Sequence, residues 1–270
     1  MLVDTHCHLN FNSFDKDRDS VLERARDAGI ARILNPGIDL PSSYAAVKLA
    51  EDHDEVFAAI GVHPNDALSW DDTTCRELRN LAEHGKVAAI GEIGLDYYWM
   101  QAPAEMQQMI FQEQLEIAAQ TGLPIVVHIR DANPEERRAT EDALNILDAW
   151  QKELENDGNS LAATPGVLHS FSGSTIDADR AAKLNLVIGI TGPVTFRKAV
   201  QLQQVVANVP VTHLLIETDA PFLTPHPYRG QRNEPAYVRY VAEKIAQIKD
   251  YTYEEICEVT TNNAGRLFHW

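Results

Sequence analysis

Met1-Leu-Val-Asp-Thr-His-Cys-His8 opens the chain with an apolar run that passes directly into Asp4, His6 and His8. Read as a strand, the run alternates its side chains between two faces, so His6 and His8 share one face and Cys7 takes the other. Imidazoles two residues apart at a strand's end are placed to grip one metal ion. No helix offers that spacing, because residues i and i+2 diverge there. An isolated His-x-His near a terminus is as readily a surface pair. What the other strand ends carry decides between the two readings.

Working outward, short apolar runs alternate with amphipathic helical patterns along the whole chain. Strands are expected near 2–4, 32–35, 56–61, 87–92, 125–128, 166–169, 186–190 and 214–217. Helices are expected near 20–28, 42–53, 74–84, 104–120, 141–154, 176–184 and 199–207, with two more at 236–249 and 253–267. Gly29, Gly85 and Gly122 follow helical patterns and suit left-handed caps. Strands that are apolar on both faces and separated by helices point to a closed parallel sheet, a TIM-type (β/α)8 barrel. An open doubly wound sheet is the alternative, but no glycine-rich phosphate loop follows the first strand. The acidic, then Gly/Asn/Ser/Ala-rich stretch 151–165 is expected to be a solvated loop after the fifth helix.

The totals agree with this architecture. A chain of 270 residues, 44% apolar, is the right size for one barrel, typically ~250 residues, and 1–270 is expected to form a single domain. Formal charge is 23 − 40 = −17, which argues against a broad, non-specific grip on nucleic acid. A bound metal supplies local positive charge whatever the overall balance, so a nucleic-acid substrate stays possible. No apolar run approaches the ~20 residues of a membrane span, and no signal-like segment precedes the first strand. Cys7, Cys75 and Cys257 lack CxxC spacing and suggest reduced thiols in a cytoplasmic protein.

In such barrels the reactive groups sit at the C-terminal ends of the strands. Glu92 follows the run 87–90, His128 ends Pro-Ile-Val-Val-His, His169 ends Gly-Val-Leu-His, and Asp219 follows Leu-Leu-Ile-Glu-Thr. With His6 and His8, six donors from five predicted strands converge on one barrel mouth. That exceeds what one tetrahedral ion needs, so a two-metal site is the economical reading. One ion is assigned His6, His8 and Asp219, the other His128 and His169, with Glu92 bridging and Asp219 also accepting a proton. Imidazole-rich ligation suits zinc, while the carboxylates also admit manganese or magnesium.

Together these stretches resemble the TatD family of metal-dependent deoxyribonucleases, within the amidohydrolase-type barrel superfamily. The resemblance rests on 4–8 (DTHCH), 61–64 (GVHP), 91–96 (GEIGLD), 127–128 (VH), 169–173 (HSFSG), 217–221 (ETDAP) and 227–235 (PYRGQRNEP), in family order across nearly the whole chain. It implies the two-metal roles just given and phosphodiester hydrolysis in DNA, by an exonucleolytic route. His63, ending the third strand, suits either a substrate-phosphate contact or a structural role, and Arg229, after the eighth, either holds a phosphate through its bidentate fork or forms a loop salt bridge. Glu217 is expected to lie deeper than Asp219 and to orient a histidine ligand. The DNA is expected to be single-stranded or frayed, since a narrow mouth admits one strand. The rival functions are hydrolysis of an amide, lactone or aminoacyl ester by the same metals, or a metal-binding scaffold.

Overall fold

The computed structural model describes residues 1–133 and 135–270. Its strands are β1 (Leu2–Asp4), β2 (Ile30–Pro36), β3 (Val56–Ile60), β4 (Val87–Asp96), β5 (Ile125–Arg130), β6 (Gly166–Leu168), β7 (Val187–Ile190) and β8 (Leu214–Ile216). They pair in parallel in sequence order. The helices between them are α1 (Arg18–Asp27), α2 (Leu40–Asp52), α3 (Asp72–Leu81), α4 (Ala104–Thr121), α5 (Arg138–Asn156), α6 (Thr175–Lys183) and α7 (Val200–Asn208). After β8 come α8 (Val238–Lys249) and α9 (Tyr253–Phe268). This is the (β/α)8 barrel expected from the alternation.

Strand alternation sorts the apolar residues into two layers. Ile33, Ile125, Val127, Leu168, Leu214 and Ile216 pack outward against the helices. Val3, Leu34, Ala59, Ala89, Val126, Val167 and Leu215 form a separate buried cluster inside the barrel, closed from below by Leu267 and Phe268 of α9. Two residues beyond Val126 and Val167 on the same face stand His128 and His169, and two beyond Leu215 stands Glu217. The barrel interior is therefore hydrocarbon at one end and ionisable at the other.

Closure between the first and last strands occurs at that ionisable end. Thr5 N–H donates to Ile216 O (3.2 Å), His8 N–H to Ala220 O (2.8 Å) and Asp219 N–H to His6 O (2.8 Å), with a parallel bridge between Cys7 and Ala220. Gly94, at φ 135°, passes so close to the His128 carbonyl that any Cβ would collide with it. Gly189 leaves the space that the Glu217 carboxylate fills.

Two expectations are corrected. The stretch 151–165 is not a solvated loop: α5 continues to Asn156 and a single 3-10 turn occupies Ser160–Ala163. Leu154 and Leu161 are buried, and the Gln151 amide donates to Ala162 O (2.9 Å), so the acidic composition belongs to the outer face of an amphipathic helix. Gly29 and Gly122 adopt left-handed caps at φ 82° and 71°, but Gly85 does not. There α3 stops earlier, at Leu81, and its end is closed by the Ala82 N–H bonding to Leu78 O (2.9 Å).

Candidate metal centre

The segment after β1 brings His6 and His8 to the mouth, β4 brings Glu92, β5 His128, and the turns after β6 and β8 bring His169 and Asp219. All six meet. His6 Nε2 and His8 Nε2 are 3.2 Å apart. Glu92 Oε2 lies 3.4 and 3.5 Å from them, and Asp219 Oδ1 3.8 and 3.6 Å. The five separations lie between 3.2 and 3.8 Å, close enough for these donors to share one cation.

The other carboxylate oxygen of Glu92 faces a second set. Its Oε1 lies 2.9 Å from His128 Nδ1, 3.1 Å from His169 Nε2 and 3.8 Å from His63 Nε2. Each of the two nearer rings has a carboxylate behind it. His128 Nε2 is 3.1 Å from Asp96 Oδ2, and His169 Nδ1 is 3.5 Å from Glu217 Oε2. Such a partner holds the ring proton on the far nitrogen and turns the near lone pair inward. His63 differs. Its Nδ1 accepts from Asn65 N–H (3.1 Å), so the proton of the neutral ring sits on Nε2 and points at the centre. His63 therefore presents a donor there, not a metal-binding lone pair.

The electrostatics are those of a cluster short of positive charge. Asp4, Glu92, Asp96, Glu217 and Asp219 are clustered here, and none pairs with a lysine or arginine among the described residues. Burial opposes the Glu92 carboxylate, yet His169 and His6 and the hydrogen bonds of His128 and His169 outweigh it and hold its pKa well below the usual range. Burial likewise opposes a charged His169, but Glu92 and Glu217 raise it well above an ordinary imidazole. His128 is raised against its burial by Asp96 and Glu92. Burial, reinforced by neighbouring imidazoles, pushes His8 and His63 down to about 3. Burial raises Asp219, with His169 and His6 only partly offsetting it. Imidazoles and buried carboxylates aimed at one another, with no lysine or arginine pairing among the described residues, suit divalent cations between them.

Asp96 and Asp4 carry no role in the sequence reading. Asp96 also accepts from Tyr98 and Trp99 N–H (2.9 Å each), so it anchors the loop after β4 as well as His128. Asp4 accepts from Thr218 N–H (2.9 Å), Thr218 Oγ1 (2.5 Å) and His6 N–H (3.3 Å), and burial pushes its pKa up to about 8. It fixes the His6 backbone against the turn that carries Asp219, whose own φ of 54° lies in the left-handed region. Asp96 was findable, since it lies four residues beyond Glu92 in the same strand, whereas β1 ends at Asp4 and strand alternation does not relate Asp4 to His6. Arg229 is not part of the cluster. It is exposed and lies over the Phe196 ring, 4.5 Å from its centroid.

Comparison with known proteins places this geometry in context. The family model described as TatD related DNase matches residues 3–269. A Bacillus subtilis protein named "Uncharacterized metal-dependent hydrolase YabD" is 44% identical over 268 residues, covering 99% of each chain. The "3'-5' ssDNA/RNA exonuclease TatD" of Pectobacterium atrosepticum is 33% identical over 273 residues, again covering 99% of each. Among solved structures, the TatD homologue YjjV of Escherichia coli K12 superposes with a TM-score of 0.89 at 31% identity, covering 100% of this chain and 98% of that one.

Proposed function

The chain belongs to the family of TatD-related DNases and is a metal-dependent hydrolase; from that premise we propose that it cuts phosphodiester bonds at single-stranded or frayed DNA ends, using two divalent ions. The observation that carries the two-ion reading is Glu92, whose Oε2 faces His6 and His8 while its Oε1 faces His128 and His169. His6, His8 and Asp219 would hold one ion and His128 and His169 the other, with Glu92 presenting a carboxylate oxygen to each set. Divalent ions held there would supply Lewis acidity toward a phosphoryl oxygen and toward the attacking water. Zinc, manganese and magnesium are the candidates.

The protein's own groups do the rest. Asp219 would accept the proton that the attacking water gives up. His63 donates from Nε2 to a non-bridging phosphate oxygen, and Arg229 steadies a neighbouring phosphate. Asp96 and Glu217 hold the His128 and His169 rings in register. The relative named as an ssDNA/RNA exonuclease supports a single-stranded nucleic acid as substrate. The free cysteines suit a reducing, cytoplasmic setting, and no helix among the described residues is long and apolar enough to cross a membrane.

The test is a substrate panel on protein stripped of metal and reloaded with zinc, manganese or magnesium in turn. Single-stranded DNA, blunt duplex, RNA, an amide, a lactone and an aminoacyl ester are supplied at equal concentration. The reading expects metal-dependent release of nucleotides from single-stranded ends and little turnover of the carbonyl substrates. Turnover of a carbonyl substrate with none of the nucleic acids would replace it.

A further inference from the structure

We infer that the mouth carries two base-stacking platforms on opposite sides of the metal cluster, so that it holds a single strand by its unstacked bases as well as by its phosphates. This rests on the nuclease reading above and adds to it what grips the substrate and where.

The first platform follows β4 and β5. Tyr98 and Trp99 are 51% and 57% exposed, in a loop whose backbone is pinned to Asp96, itself in contact with His128. The Arg130 guanidinium lies over both rings, 4.3 Å from the Tyr98 centroid and 5.6 Å from that of Trp99. Aromatic side chains this large and this exposed cost hydrophobic free energy unless something covers them, and three hydrogen-bonded steps lead from them to Glu92. The second platform is Phe222, 53% exposed after β8, with its ring 6.5 Å from that of His8. Its N–H donates to Asp219 O (2.8 Å), which ties this ring to the other side of the cluster.

Strands run in order around the barrel, so β4 and β8 face each other across the mouth. A strand stretched from Trp99 to Phe222 lays its intervening phosphate over the metal cluster. Charge fits the same occupant. The chain carries −17 overall, yet Arg130, Arg197, Lys198 and Arg229 lie in or beside the mouth loops with no ion pair among the described residues. Exposed π-faces beside unpaired guanidinium groups are the means by which single strands are held without reading sequence, because every base has a π-face and a duplex hides it.

The experiment compares binding of two fluorescein-labelled, phosphorothioate-linked ten-mers to the metal-loaded protein: oligo(dT), and an abasic chain with the same phosphates. Wild type is expected to bind oligo(dT) more tightly than the abasic chain. Trp99→Ala and Phe222→Ala are each expected to weaken oligo(dT) binding about 5- to 150-fold while hardly changing the abasic chain, and Trp99→Phe to restore most of the loss. Metal content and thermal melting of each variant show that the fold is intact. Equal weakening of both chains, or none, overturns the platforms while leaving the nuclease reading in place. Wild type that neither binds nor cleaves any oligonucleotide overturns the nuclease reading, and the platforms with it.

Discussion

The two ends of the barrel interior are built from the same strands and have opposite chemistry. At the lower end Val126, Val167 and Leu215 pack with Leu267 and Phe268 of α9. One step up the same faces stand His128, His169 and Glu217, beside Glu92 and its ligand-type neighbours. The lower end gives up nothing by being dry, since hydrocarbon leaves water at a gain of roughly 25 cal/mol per Å2. The upper end buries carboxylates that, among the described residues, pair with imidazoles and with no lysine or arginine, and taking such groups out of water is costly. The lower end thus stabilises the fold, and the upper end spends part of that stability on a site ready for metal.

If that division holds, damage to one end should leave the other's property intact. Phe268→Ala removes the plug and is expected to destabilise the protein by about 3–5 kcal/mol, with metal stoichiometry unchanged below the melting transition. Chemical denaturation alongside metal analysis checks it, and a variant that stays folded but loses metal would erase the division. Glu92→Gln acts at the other end. Activity is expected to fall about 100-fold or more and bound metal to drop below the wild-type ratio, while the metal-free variant loses less stability than Phe268→Ala, the loss coming from the attraction to His169 and His6 that the amide gives up. Full loading of Glu92→Gln at wild-type affinity would remove the bridging role.

Asp96→Asn tests whether the partner of a ring matters as well as the ring. Metal affinity is expected to fall about 10- to 100-fold, because the amide no longer fixes the proton on His128 Nε2. Titration with a competing chelator measures this, and an unchanged constant would mean that packing alone orients the ring. Arg229→Ala should have the smallest effect, since it lies outside the cluster. Single-strand affinity is expected to fall modestly and its salt dependence to become shallower by about 0.7 log units per log unit of salt, with metal content unchanged. A salt titration of binding, wild type beside variant, separates this from a purely structural role for its contact with Phe196.

Much of this was legible without coordinates, and the reason is local. Period-two alternation at a strand end puts His128 and His169 on the inner face whatever the rest of the fold does, and helix patterns bounded by glycine mark α1 and α4. Hydrophobic runs in regular alternation with helices allow few architectures besides a parallel barrel. What the sequence left undecided is what depends on elements far apart in the chain. That the barrel closes through Thr5, His8 and Asp219, that Glu92 turns one oxygen to each histidine set, and that His63 offers a proton rather than a lone pair are settled by residues 30 to more than 200 positions away or by a neighbouring backbone N–H. Residue type and spacing fix which face a side chain takes. Only the tertiary structure decides which atom of it meets which partner, because that choice is made by ring flips and carboxylate rotations that cost little locally and are resolved by distant packing.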